Sequence, residues 1–175
     1  MSWFENNGQE LKTSKTIDEF NFTLQYKPIP YIILKENGGI TPDKKTSAKR
    51  ELELKGMQYY TFQISSTGTE KNILKTNARF ENEYFSRLEY FSSVMQDDLC
   101  LIDGNDTLPC LLFHYERNYN LAPYTNFLLG FEEIAGKKLT SDHTLIFNDE
   151  VLGCGTIQLS IPKSAIENLP ALKEN

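Results

Sequence analysis

The chain is poor in the residues from which catalytic and metal sites are usually built. Its 175 residues include two histidines and three cysteines, and no Cys-x-x-Cys pair occurs. A Gly-x-Ser-x-Gly nucleophile motif and a lysine-bearing phosphate loop are also missing from the sequence. We therefore predict no catalytic residue, no metal site and no cofactor.

The sequence also lacks an apolar run of about 18 residues, the length that a membrane-spanning helix needs. Its first ten residues have neither the basic head nor the apolar core of a secretory signal. They predict a flexible leader over residues 1–16. Such a polar leader is what remains when an export signal and a lipid-bearing cysteine are removed from a bacterial lipoprotein, and a native cytoplasmic start is the alternative.

An excess of basic residues is missing as well. Lys and Arg total 18 against 24 acidic residues, which gives a formal net charge of −6. A surface with this balance repels a polyanionic backbone, so we predict no nucleic-acid partner. With 39% hydrophobic residues the chain can bury a full core. We expect a single β-rich globular domain over residues 17–172.

Among the patterns that are present, a β-hairpin signal over residues 99–114 is the clearest. Two apolar runs flank the tetrapeptide Asp103-Gly104-Asn105-Asp106. Asp and Asn tolerate positive φ and Gly adopts it freely, so these four residues can reverse the chain while the flanks pair.

Further elements follow from apolar periodicity. Alternating or short apolar runs predict strands at 17–27, 57–65, 126–132, 144–147 and 153–162, and a strand or a bend at 31–34. Helices are predicted at 41–55, at 70–84 with a change to strand near Arg87, and as one turn at 163–169. Strands joined by short turns, without βαβ alternation, indicate a mainly β, β-rich α+β fold. We predict an antiparallel β-sandwich with one or two peripheral helices.

The cysteines leave two alternatives open. A two- or four-residue turn pairs Cys100 with Pro109 and sends Cys110 to the other face of the sheet, which leaves free thiols. A three- or five-residue loop would place Cys100 opposite Cys110, where a disulfide fits.

Two groups of residues are candidates for function. His114 and Glu116 are two apart on a predicted strand, so both side chains leave the same face and could work as a base and its orienting acid. Tyr and Arg are enriched at the centres of protein interfaces. A recognition surface is therefore predicted from Tyr115, Arg117, Tyr119 and Tyr124.

Four segments carry a resemblance to a protein family, at Tyr84–Phe91, Asp103–Cys110, Phe113–Tyr119 and Phe127–Phe131. They resemble uncharacterised envelope lipoproteins of Bacteroidetes-type bacteria. The resemblance implies an exported, lipid-tethered β-domain in the periplasm or at the outer membrane, and it implies no catalytic residues.

Together these observations favour a non-enzymatic binding or assembly module at the bacterial cell envelope, the soluble part of a lipoprotein. Its expected partner is a protein or another envelope-assembly component, and its expected contact with a membrane is only through a lipid anchor that this chain does not contain. One alternative is a hydrolase or cation-dependent enzyme that uses His114 and Glu116. A second alternative is an intracellular structural subunit of a larger complex in the cytoplasm.

Overall fold

The computed structural model describes residues 10–68, 70, 72–76, 80–116, 122–134, 136 and 141–169. In these residues the strands are β1 (Lys12–Ile17), β2 (Phe20–Lys27), β3 (Met57–Ser66), β4 (Leu99–Asp103), β5 (Asp106–Pro109), β6 (Leu112–Glu116), β7 (Tyr124–Glu132), β8 (His143–Asp149) and β9 (Gly155–Ile161). The α-helices are α1 (Ile29–Glu36), α2 (Lys44–Leu54), α3 (Glu81–Ser92) and α4 (Lys163–Glu167), and a 3₁₀ helix covers Val94–Asp98.

The strands form two antiparallel sheets. One sheet has five strands in the order β1-β2-β3-β7-β6, and the other has four strands in the order β5-β4-β8-β9. Every pairing within both sheets is antiparallel. The predicted β-rich α+β sandwich is confirmed, although the described residues contain four α-helices where one or two were expected.

The core lies between the two sheets because alternate residues of each strand point inward. Phe147 of β8 lies 5.7 Å from Phe62 of β3 and 6.4 Å from Phe22 of β2, measured between ring centroids. All three rings are fully buried. The interleaved aromatic side chains hold the sheets face to face, since each ring removes a large apolar area from water.

The prediction of a flexible leader over residues 1–16 is wrong for residues 12–16. These residues form β1, an edge strand that pairs with β2 from Lys12 opposite Gln25 to Ile17 opposite Phe20. Polar side chains dominate β1, so its sequence shows no apolar alternation. Residues 1–9 lie outside the described residues.

The strand or bend predicted at 31–34 is a helix instead. Pro28 is the N-cap of α1, and Pro30 lies in its first turn. A proline there removes only an N–H that would have no partner within the helix, and its fixed φ suits a helix start. The carbonyl of Pro28 accepts from the amides of Tyr31 and Ile32 at 2.9 and 3.1 Å.

The two longer predicted helices are shifted. α2 begins at Lys44 because the Asp43 carboxylate, and not Thr41, accepts hydrogen bonds from the first free amides, those of Lys45 and Thr46. α3 covers Glu81–Ser92 and leads into the 3₁₀ helix, so the predicted change to a strand near Arg87 is wrong.

The hairpin is confirmed over 99–109 and its register decides between the cysteine alternatives. Cys100 lies opposite Pro109, and a two-residue turn follows Asp103, in which Gly104 has a φ of 65°. After Pro109 the chain crosses to the five-stranded sheet, so residues 112–114 are not part of the hairpin. All three cysteines are free, and the disulfide between Cys100 and Cys110 does not form in this register.

Across the described ranges, none of the helices has both the length and the apolar character needed to cross a bilayer.

Candidate functional site

A groove lies on the outer face of the five-stranded sheet, on the side away from the core. Its cavity volume is about 640 Å³, within the range of about 300–1,000 Å³ that small-molecule sites occupy. We call it the sheet groove. It is lined by Lys27, Tyr31, Ile32, Lys35, Glu36, Arg50, Leu54, Tyr59, Tyr60, Thr61, Leu112, Leu128 and Leu129.

Two rows of residues, aligned by the pairing of the strands, form the floor of the groove. Lys27, Tyr59, Gly130 and Leu112 follow one another across β2, β3, β7 and β6 in a single row. Gln25, Thr61, Leu128 and His114 form the next row toward the other end of the strands. Residues opposite one another in a sheet project from the same face, so both rows point outward.

Apolar side chains that reach solvent mark the floor. Leu112 is 40% exposed and Leu128 is 37% exposed, although both stand on a sheet rather than on a loop. Gly130 allows the close packing beside them, because a Cβ built there would lie 2.9 Å from the Leu112 Cβ and 2.9 Å from the Met57 Cε. The sheet therefore presents an open apolar surface at this point.

Helices α1 and α2 provide the wall of the groove. Arg50 of α2 binds both carboxylate oxygens of Glu36 in α1, with Nε–Oε2 and Nη2–Oε1 distances of 2.9 and 2.7 Å, and also binds Glu53 at 3.0 Å. Tyr59 donates from its hydroxyl to the carbonyl of Leu54 at 3.1 Å, which ties the end of α2 to β3. A bidentate ion pair fixes geometry more strongly than a single contact.

Lys27 is the charged group that lines the groove with the least contact with water. Its Nζ donates to Gln25 Oε1 at 2.6 Å and lies 5.1 Å from the centroid of the Tyr31 ring. Burial, together with the positive charges of Lys35 and Lys12, lowers the pKa of Lys27 to about 8, although the charge of Glu116 acts in the opposite direction. The amine is therefore held in one place among other positive charges.

Toward the other end of the outer face, polar side chains of β1 and β2 bind one another. Ser14 and Thr23 share a hydrogen bond of 2.8 Å between their hydroxyls, Thr23 also donates to Asn21 at 3.1 Å, and Asn21 donates to Thr16 at 2.9 Å. The apolar surface is therefore confined to the end of the sheet that α1 and α2 border.

The recognition surface predicted from four aromatic and basic residues does not form on one face. Tyr115 lies opposite Phe127 and packs on it with a centroid distance of 5.6 Å, toward the core. Tyr124 stands three residues before Phe127 on β7, so strand alternation turns it to the outer face. The predictions for Arg117 and Tyr119 lie outside the described residues.

His114 and Glu116 do share the outer face, as their spacing predicts. His114 lies opposite Leu128 and is exposed at the rim of the groove. Glu116 lies opposite Asn126 and accepts from its Nδ2 at 3.0 Å. The pair is therefore beside the sheet groove, with the Glu116 carboxylate bound to an amide.

A second polar cluster lies inside the sandwich. His143 Nδ1 is 2.7 Å from the Tyr60 hydroxyl, and His143 Nε2 is 3.6 Å from Asp103 Oδ1. Tyr60 also reaches Gln58 Oε1 at 3.3 Å, and all four residues are buried. The Tyr60–His143 hydrogen bond therefore pairs two polar groups inside the sandwich, away from the sheet groove, whereas the 3.6 Å between His143 Nε2 and Asp103 Oδ1 is longer than a hydrogen bond.

The described residues contain no group of three or more His, Cys, Asp or Glu that is arranged to hold a metal ion. Asp103, which a turn-based calcium site would need at the hairpin tip, instead turns inward toward His143.

The sheet groove combines residues that are distant in the sequence. Most of them have no local sequence pattern that would predict a binding site. Lys27 is the last residue of a half-buried strand and Thr61 lies within another, and both positions have the pattern of solvent-facing polar residues. The single available signal was Leu128, because an apolar residue at an outward position of an alternating strand breaks the pattern.

Comparison with known proteins provides no information about the function of this chain. No family model matches the chain, and no curated protein matches it. A crystal structure of a protein of unknown function from Burkholderia pseudomallei is similar, with a TM-score of 0.45 and 13% identity over 94% of this chain and 84% of that chain. This similarity indicates no function for the sheet groove.

Proposed function

We propose that this protein is a non-enzymatic binding module that holds a small, largely apolar ligand in the sheet groove. The observation that carries the proposal is the exposure of Leu112 and Leu128 on the floor of a cavity of about 640 Å³. Exposed leucines on a regular sheet remain in contact with water unless a ligand covers them.

The construction of the wall supports a binding role. Arg50 joins α1 to α2 through Glu36, and Tyr59 joins α2 to the sheet, so the groove is formed before a ligand arrives. A preformed site avoids the entropy loss of ordering the protein upon binding.

Filling the groove tests the proposal. Thr61 projects from the floor, and Gln63 projects from the same face of β3 two residues further, outside the lining. Thr61→Trp should occupy the cavity, whereas Gln63→Trp adds the same side chain on the same strand without entering it. We expect the neutral dye N-phenyl-1-naphthylamine to bind the wild-type protein and Gln63→Trp alike, and to bind Thr61→Trp about tenfold more weakly or less. Fluorescence titration measures all three affinities.

The proposal is wrong if the dye does not bind the wild-type protein, or if both tryptophan variants lose affinity equally. The alternative of a hydrolase or cation-dependent enzyme is tested with the His114→Ala/Glu116→Ala double variant. On the binding proposal this variant keeps its affinity for the dye, because neither side chain lines the groove. An ester hydrolysis that the double variant abolishes would favour the enzyme.

The cell-envelope setting, the lipid anchor and a protein partner stay predictions from the sequence. A groove that holds an apolar ligand is compatible with a module that carries such molecules in an aqueous compartment of the envelope. Fractionation of cells that produce the protein from its natural gene tests the location, and recovery in the cytoplasm would favour the intracellular alternative.

A further inference from the structure

We infer that the ligand of the sheet groove is an amphiphile with a single anionic head group, whose head binds Lys27 and whose apolar body lies over Leu112 and Leu128. This inference rests on the proposed function and names the chemical class of ligand for the same site. The shared chemistry is a carboxylate or comparable acid on an aliphatic chain.

The position of the Lys27 amine supports an anionic head. Lys27 lines the cavity, and its Nζ donates to Gln25 Oε1 at 2.6 Å and stands 5.1 Å from the centroid of the ring of Tyr31, another lining residue. Lys27 is the last residue of β2 and is half-buried, and its hydrogen bond to Gln25 holds the amine beside the sheet. An acid placed against it would gain a charge-assisted hydrogen bond from a group that is already oriented.

Charge complementarity separates an anion from a cation. The whole chain has a formal net charge of −6, yet the charges of Lys12 and Lys35 both act on Lys27 at this end of the sheet. Glu36, the acid of the lining, is already bound by both ends of the Arg50 guanidinium. Glu116, which does not line the groove, offsets part of the Lys27 charge. The lining itself holds Lys27, Lys35 and the Glu36–Arg50 pair, so it favours an anionic head over a cationic one.

The surface around Lys27 argues for a single head on an apolar body. Leu112 and Leu128 cover the floor on β6 and β7, across β3 from Lys27. Tyr31 and Ile32 of α1 face the same cavity from the wall. A small inorganic anion would leave this apolar surface wet, whereas an aliphatic chain covers it.

Three ligands that share one aliphatic chain test the inference. Decanoate, decanol and decyltrimethylammonium carry an anionic, a neutral and a cationic head group on unbranched chains of closely similar length. By displacement of N-phenyl-1-naphthylamine from the wild-type protein, we expect decanoate to bind about tenfold or more tightly than decanol, and decyltrimethylammonium to bind more weakly than decanol.

The Lys27→Met variant removes the charge and keeps an apolar side chain of similar length. It should reduce the affinity for decanoate about tenfold and leave the affinity for decanol unchanged. Lys163→Met is the matched control, because Lys163 lies on α4, pairs with Glu167 at 3.5 Å and does not line the groove. We expect it to bind all three ligands as the wild-type protein does.

The pH dependence of binding gives an independent measurement. The charged and titratable groups around Lys27 are Lys12 of β1, Lys35, Tyr31 and the Glu36–Arg50 pair of the helices, Tyr59 of β3 and Glu116 of β6. Since the pKa of Lys27 in the free protein is about 8, the affinity for decanoate should fall as the pH rises from 8 to 10. The affinity for decanol should stay constant over this range, and so should the affinity of Lys27→Met for decanoate.

The outcomes separate this inference from the proposed function. If decanol and the dye bind in the groove but decanoate gains nothing over decanol, the head group is not anionic and the binding module stands. If neither the dye nor any of the three ligands binds, the proposed function fails and this inference fails with it. Tighter binding of decyltrimethylammonium than of decanol would overturn the inference directly.

Discussion

At the scale of single residues, the polar groups inside the sandwich and the amine of Lys27 differ in their surroundings. Tyr60 and His143 share a hydrogen bond of 2.7 Å between the sheets, where Tyr60 is only 1% exposed. Burial raises the pKa of Tyr60 well above its ordinary value, so this phenol keeps its hydrogen and remains a donor. Lys27, by contrast, is a charged residue that lines a cavity.

The interior contact between Tyr60 and His143 should be measurable as a coupling energy. Tyr60→Phe removes the hydroxyl and leaves His143 Nδ1 without this 2.7 Å contact. We expect the free energy of unfolding to fall by about 1–3 kcal/mol. The Tyr60→Phe/His143→Leu double variant should lose less than the two single variants together, by about 1 kcal/mol or more. Urea denaturation of the four proteins measures the cycle.

Tyr26→Phe is the control for this cycle. Its ring lies 5.2 Å from that of Tyr60 and in the same interior region, and its hydroxyl is not one of the bonded atoms of the cluster. It should lose much less stability than Tyr60→Phe. Strict additivity of Tyr60→Phe and His143→Leu would show that the two side chains do not interact.

At the scale of elements, alternation of apolar residues predicted the strands that have one buried face. The pattern at 57–65 predicted the bounds of β3 to within one residue, and the run at 126–132 predicted most of β7. β1 was missed because an edge strand with both faces near solvent shows no apolar alternation. α1 was missed because two prolines suggested a strand interruption, whereas both lie at a helix start.

The loop between β8 and β9 depends on one carboxylate. Asp149 Oδ1 accepts from the amides of Val151 and Leu152 at 3.0 and 2.8 Å, and its Oδ2 accepts from the amide of Cys154 at 2.7 Å. Asp149→Ala should lower the free energy of unfolding by about 2–4 kcal/mol, because three amides lose their partner at a buried position. Asp149→Asn keeps one carbonyl oxygen and should lose about half as much.

Thermal and urea unfolding of both variants measure this effect. Glu150→Ala, one residue further in the same loop and exposed, is the matched control and should stay within about 0.5 kcal/mol of the wild-type protein. A similar loss for Glu150→Ala would mean that the loop responds to any substitution, and the Asp149 hydrogen bonds would not be its cause.

At the scale of the whole molecule, the sandwich could be predicted but the site could not. Short turns and one-sided strands restrict a chain of this kind to two antiparallel layers. The sheet groove, however, depends on which strands are neighbours: Lys27, Tyr59 and Leu112 form one row only because β2 lies beside β3 and β6 joins the same sheet through β7. Nothing local in the sequence specifies that β5 and β6 belong to different sheets.

Cys110 lies where the chain crosses between the two sheets. It is 6% exposed, its thiol donates to the Leu112 carbonyl at 3.1 Å, and its own carbonyl accepts from Gln96 at 2.9 Å. Burial raises the pKa of Cys110 to about 11, so its thiolate fraction is about one hundredfold below that of an ordinary cysteine at the same pH. The thiol is therefore shielded from reagents in the folded protein, and we expect its exposure to require unfolding.

Labelling of Cys110 should consequently report global unfolding. In the Cys100→Ser/Cys154→Ser double variant, we expect the labelling rate with a thiol reagent to increase with guanidinium along the same slope as the unfolding equilibrium. The Cys110→Ser/Cys154→Ser variant, which leaves the half-buried Cys100 of β4, should label faster and depend less on denaturant. A labelling rate of Cys110 that does not depend on denaturant would mean that the segment connecting β5 and β6 opens locally. An intact mass two hydrogens below that of the reduced wild-type chain would show a disulfide, which the pairing of Cys100 with Pro109 opposes.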